Sequence, residues 1–194
     1  DSYLKEHNIE TFSLDYELEG VIYSKENSLE PKEFYAKMRN GSMPTTNAVI
    51  PEIEKEAFKK YTDQGLAVLH IGFSSGLSGS FSNTMLAANE VLEENPDAKI
   101  ILIDSLCASL GEGLLVHKAV ELRASGKNIE EVAKWVEENK LHLCHQFTVD
   151  DLNHLHRGGR VSKATAIIGT LVSVKPVLHV DDEGHLTPLS NVIG

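Results

Sequence analysis

"LAVLHIGFSSGLSGSF", residues 66–81, runs from an apolar strand through a loop of serine and glycine into the start of a helix. Downstream, "SFSNTMLAANEVLEENP" (80–96) carries Phe81, Met85, Ala88 and Leu92 at helical spacings, and "KIILID" (99–104) is a second short apolar run. Strand, helix and strand in this order form a βαβ unit, so the two strands are expected to be parallel and buried on both faces. Ligands of open parallel sheets bind outside the carboxyl ends of the strands. The Ser/Gly loop stands at that edge, and so does the Asp104–Ser105 pair that follows the second strand.

Three strong motifs fail on this loop. A phosphate-binding P-loop needs GxxxxGK[ST], and no lysine occurs between Ile71 and Lys99. The spacing of Gly72, Gly76 and Gly79 is not GxGxxG, and a GxSxG elbow around Ser78 would need glycine where Ser80 stands. What remains is a set of neutral donors. Ser78 adds a hydroxyl, Gly76 and Gly79 permit close backbone approach, and the positive end of the helix dipole lies behind them. A structural reading, with Ser78 a helix cap and the glycines a turn, stands equally open on the loop alone.

Composition narrows what could bind. The 194 residues carry 29 acids against 18 lysines and arginines, a formal charge of −11. Nucleic-acid surfaces need clustered positive charge, so no nucleic-acid partner is expected. The overall field also repels anions, so an anion site here must be built from local dipoles. Cys107 and Cys144 form no CxxC pair, which points to a reducing, cytoplasmic compartment. The apolar runs are too short for a membrane span. His142 and His145 on an expected strand, and His154 and His156 on a short helix, diverge, and HExxH is absent, so no metal is expected.

The rest of the chain reads as alternating elements. "DSYLKEHNIE" looks like the end of a helix, while "IETFSL" and "YELEGVIYS" alternate like strands. Pro31 and Pro51 open helices that close at Gly41 and Gly65, the second with Ile53, Ala57, Phe58 and Tyr61 on one face; "MPTTN" between them is a loop. Helices fit "EGLLVHKAVELRASG" and "NIEEVAKWVEEN", with Asn128 as N-cap. "LHLCHQFTV" (141–149) reads as a strand, "DDLNHLHRGG" as a short helix and "KATAIIGTLVSV" (163–174) as an apolar helix. "KPVLHVDDEGHLTPL" is a hairpin around "DDEG". The expected division is an α/β domain with a parallel sheet over 1–143 and the start of a second α/β domain, containing the antiparallel hairpin, over 144–194. Both ends look cut, as in a fragment of a longer protein. Arg157 and Arg160 flank two glycines; they suit either a helix C-terminus or an acidic or phosphorylated partner.

"MPTTN" (43–47), "SSGLSGSF" (74–81), "IDSLCASLGEGLL" (103–115) and "VDDLNHLHRGGRVSKATAIIGTL" (149–171) together resemble the DegV family, the fatty-acid-binding proteins of the FakB type. The resemblance covers nearly the whole chain. It implies a two-lobed α/β fold that encloses one long-chain fatty acid and presents it, in bacteria, to a separate ATP-dependent fatty acid kinase subunit, which makes the acyl-phosphate that feeds phospholipid synthesis. The bound fatty acid is a ligand; no cofactor and no catalytic residue of the chain's own are implied. Thr45, Thr46, Ser78 and the Gly79 backbone would hold the carboxylate, and Arg157 or Arg160 would dock the kinase. The family's opening Asp-Ser strand and a later histidine of the carboxylate site have no counterpart here. The rival reading is an acyl-processing enzyme with Ser78 as nucleophile, for which Asp104 is the one acid on the same strand edge.

Overall fold

The computed structural model describes residues 2–150, 152–162 and 174–193. Helix α1 (Ser2–Glu6) precedes an irregular stretch, and β1 (Tyr16–Leu18) then pairs antiparallel with β2 (Val21–Tyr23). Glu19 and Gly20 both have positive φ, the conformation a two-residue hairpin turn requires. After α2 (Pro31–Arg39), β3 (Thr45–Thr46) adds to β1 through Tyr16↔Thr46 and Glu17↔Thr45. The "MPTTN" segment is therefore partly strand, not loop. The "IETFSL" strand does not form; instead Phe12 packs against Phe58 and His70, at ring-centroid distances of 6.3 and 6.1 Å.

The βαβ unit holds as expected. Helix α3 (Pro51–Thr62) leads to β4 (Val68–Gly72), α4 (Ser80–Glu94) and β5 (Ile100–Asp104), with parallel pairing from Val68↔Ile100 to Gly72↔Asp104. Its strands are mostly half-buried, because this sheet has two strands among the described residues. Two helix faces differ from the sequence expectation. In α4 the buried stripe is Thr84, Ala87, Ala88 and Val91, and Met85 is exposed. In α3 Ile53 is exposed and Glu54 takes the buried place beside Ala57 and Phe58. Small residues on α4 let the two helices approach closely, and Phe58 fills the space between α3 and the sheet, where its truncation would cost about 3–5 kcal/mol.

Helices α5 (Ser109–Ala124) and α6 (Ile129–Asn139) cover the other face with Leu115, Val132 and Val136, packed on Ile103. Asn128 caps α6 in a reciprocal capping box with Glu131, at 2.9 and 3.0 Å, as the sequence predicts for the N-cap. Residues 141–149 are not a strand. A 3₁₀ turn at Lys140–His142 runs into irregular chain that pairs with the following sheet at the isolated Phe147↔Leu178 bridge. Next come the short helix α7 (Leu152–Arg157) and the hairpin β6 (Val174–Val180) and β7 (Leu186–Ile193), whose 181–185 turn is tied by the Asp181 carboxylate. The apolar helix expected over 163–174 lies, apart from Val174, outside the described residues. Leu152, Val161 and Leu178 form a separate small core, joined by Phe147 and Leu186. The architecture is two-lobed α/β, with a parallel sheet and antiparallel sheets.

Candidate functional site

The loops after β4 and β5 bind each other where both strands end. Ser74 N–H donates to the Cys107 carbonyl at 2.9 Å, and Ser105 N–H to the Gly72 carbonyl at 3.1 Å. Asp104 Oδ1 accepts the N–H groups of Ser75 and Leu106, each at 3.2 Å, so the acid weighed as a base for Ser78 serves the backbone of both loops. Leu106 and Ser109 adopt positive φ, which a non-glycine residue holds only when its surroundings enforce it. The hairpin turn then docks on this platform: Ser74 Oγ donates to the Gly184 carbonyl, and Gly76 has no room for a Cβ because Glu183 and Gly184 backbone would lie within 2.9 Å.

Between these loops, the 143–147 segment, α7 and the hairpin lies a cavity of about 660 Å³. That volume is within the range of about 300–1,000 Å³ common to small-molecule sites. Its wall is chiefly apolar, with Leu14, Phe73 and Leu77 on one side and Phe147, Leu155 and Leu186 on another. The polar part of the wall is Ser78, Thr46, Ser109, Gln146 and Arg160, with His145 and His154.

The residues singled out from sequence separate here. Thr46 lines the cavity, whereas Thr45, next along β3, does not. Ser78 lines it, and Gly79 is the exposed N-cap of α4. Arg157 is exposed on the last turn of α7. Arg160 turns into the cavity wall, where its Nε donates to the Leu77 carbonyl at 3.0 Å and its Nη1 to the Gly158 carbonyl. Gly159, at φ +77°, supplies the left-handed step that reverses the chain after α7.

Several wall residues escaped the sequence reading. Residues 108–111 and 143–147 contribute much of the wall. A steric notch joins them: a Cβ on Gly111 would stand 1.7 Å from His145 Nε2. Burial pushes the His145 imidazole down from its ordinary range, against the raising effect of its bond to the Leu143 backbone, and its Nε2 is buried without a hydrogen bond. Burial alone pushes the Glu112 carboxyl, one residue further along α5, up to about 7. Among the described residues no group of three or more His, Cys, Asp or Glu side chains is placed to hold a metal ion, and no helix is long and apolar enough to cross a membrane.

Fold and site together define a two-lobed α/β protein with an apolar cavity headed by hydroxyls at a parallel-sheet edge. The chain belongs to the DegV family, whose model, described as "Uncharacterised protein, DegV family", matches residues 1–194. A DegV domain-containing protein of Clostridium perfringens is 45% identical over 187 residues, covering 95% of this chain and 64% of that protein. The chain thus spans less than two thirds of that relative's length. Among solved structures, a stearic acid-binding protein from Eubacterium ventriosum superposes with a TM-score of 0.91 at 25% identity, covering all of this chain and 67% of that one. The fatty acid kinase B3 protein of Streptococcus pneumoniae, loaded with linoleic acid, gives 0.83 at 26% identity, over 93% of this chain and 63% of that one.

Proposed function

We propose that this chain forms the head-group end of a long-chain fatty-acid carrier, which presents the carboxylate to a separate kinase subunit. The observation that carries the reading is the place of Ser78 and Thr46: two hydroxyl residues in the wall of a chiefly apolar cavity, Ser78 on the loop at the carboxyl edge of β4 and Thr46 on β3. A carboxylate removed from water is costly unless donors meet it. Neutral hydroxyls, with the Gly79 backbone N–H beside them at the start of α4, meet it without a lysine, in a protein whose net charge is −11. Thr45 holds the register of β3 opposite Glu17 and so sets the direction of Thr46.

Tail and head have different tasks. Burial of methylenes yields roughly 0.8 kcal/mol each, so a tail of about sixteen carbons supplies about 12 kcal/mol before the costs of association. The hydroxyls add little to that and mainly fix where the carboxylate stands. Fatty-acid ligands in similar proteins, one of them named as the fatty acid kinase B3 protein, support the fatty-acid reading. Within it, exposed Arg157 contacts the kinase, and Arg160 serves the same docking from the rim of the cavity.

The test compares the full-length protein with its Ser78→Ala and Thr46→Ala variants, measuring oleate affinity and ATP-dependent formation of oleoyl-phosphate with the kinase subunit. We expect affinity to fall by roughly tenfold, the low end of what one charge-assisted hydrogen bond contributes (about 1.5–3 kcal/mol), and phosphorylation by considerably more. Equal affinity and equal phosphoryl transfer in both variants would remove these residues from the site.

A further inference from the structure

Ser78 does not stand alone, and the count of protons around it assigns a role to Ser80. The Ser80 hydroxyl is buried; it accepts the Val49 N–H at 3.2 Å and lies 2.9 Å from Ser78 Oγ. Either hydroxyl could donate across that 2.9 Å contact. If Ser78 donated, Ser80 Oγ would accept twice and keep its own proton buried with no acceptor among the described residues, which is unfavourable. The favoured direction is therefore Ser80 to Ser78. Ser78 Oγ also accepts the Ser80 N–H at 3.2 Å, so both of its lone pairs are engaged. Its own proton is left without an acceptor among the described residues, and Ser78 lines the cavity.

The backbone of Ser80 is fixed as well. Thr84 Oγ1 donates to the Ser80 carbonyl at 3.1 Å and lies 2.9 Å from Glu54 Oε1. Glu54 is 1% exposed, its Oε1 faces the same Thr84 hydroxyl proton, and burial pushes its carboxyl above the ordinary range. A continuous set of buried groups thus stands behind Ser78, which faces the cavity.

We propose that Ser80 is a positioning residue of the ligand site: by donating to Ser78 it turns the Ser78 hydroxyl into a dedicated donor to the ligand's acceptor head. This rests on the reading that Ser78 holds the head group. Aligned hydroxyls also polarise one another, which strengthens the terminal bond by about 10–30%.

The experiment measures the affinity of the full-length protein for oleate and for methyl oleate, which has the same tail and no charge. Wild type is expected to prefer oleate. Ser78→Ala should lower oleate affinity by roughly tenfold, and Ser80→Ala by roughly three- to tenfold, with methyl oleate nearly unchanged in both. Ser80→Thr, which keeps the hydroxyl, should restore the preference. Loss of preference in Ser78→Ala but not in Ser80→Ala would overturn the role of Ser80 alone. Retention in both would overturn the head-group reading itself. An equal fall for both ligands in Ser80→Ala would make Ser80 merely structural and also overturn the proposal. Should Ser80→Ala not fold, Ser80→Cys, a weak donor of similar size, is read instead: reduced preference supports the proposal and full preference overturns it.

Discussion

The Ser74 hydroxyl donates to the Gly184 carbonyl at 2.8 Å, joining the loop after β4 to a hairpin turn 110 residues later in the chain. Both residues are buried, Gly184 has φ +80°, and a Cβ there would stand 2.1 Å from Ser74 Oγ. The hairpin also carries Val180 and Leu186 into the cavity wall. This contact is therefore part of what gives the cavity its shape.

Gly184→Ala should accordingly be among the more damaging single changes at this junction. Left-handed strain of about 1–2 kcal/mol adds to the displacement of a buried hydrogen bond worth about 1–3 kcal/mol. Ser74→Ala should cost only the second amount. Urea unfolding measures both, and equal stability of Gly184→Ala and wild type would show that the hairpin does not dock on this loop.

Gly111→Ala should push His145 out of its notch and reshape the cavity wall formed by 143–147. The control is Gly113→Ala, two residues along the same helix, where a Cβ meets nothing within 4 Å. That change should stabilise the protein slightly, by up to about 1 kcal/mol from helix propensity. Ligand affinity should fall in the first variant and hold in the second. Unchanged affinity in Gly111→Ala would mean that 143–147 does not shape the site.

These two glycines show where sequence reasoning reached its limit. The βαβ unit, the Asn128 cap and the "DDEG" hairpin were legible because each rests on local pattern. Gly111 looks like any helix glycine, since its partner His145 lies on a segment whose alternating residues imitate a strand. Ile53 and Glu54 mislead for a similar reason: helical spacing fixes a stripe only within about one residue, and a neighbouring Thr84 hydroxyl lets the acid take the inner place. The place of the hydroxyl loop at the carboxyl edge of the parallel strands was legible, but the walls of the cavity beside it come from stretches scattered from Leu14 to Leu186.

His70 makes stability fall in acid. Burial against Phe12 and Phe58 lowers its pKa from 6.5 to about 4, so the folded protein binds fewer protons than the unfolded chain between those values. Its contribution is fully present above pH 6.5 and is lost as pH falls through 4, by up to ~3 kcal/mol. His70→Leu lacks this dependence, so the stability advantage of wild type over the variant should shrink on acidification. A difference that stays constant with pH would refute the burial of a neutral imidazole.

Glu112 acts in the opposite direction. Its pKa is raised from 4.5 to about 7, so the folded state holds a proton that the unfolded chain has released. The favourable contribution is complete below pH 4.5 and is lost as pH rises through 7. Glu112→Gln should therefore gain on wild type between pH 5 and pH 8, by on the order of 1–3 kcal/mol. Thermal unfolding at the two pH values checks it, and a variant that loses ground at pH 8 would contradict it.

The most direct measurement is mass spectrometry of the organic extract from full-length protein purified out of its own bacterial host. A long-chain fatty acid, released in about one equivalent per protein, is the result predicted for a cavity that holds the tail while Ser78 and Thr46 hold the head. An extract without fatty acid, from protein that also fails to take up oleate, would contradict the account.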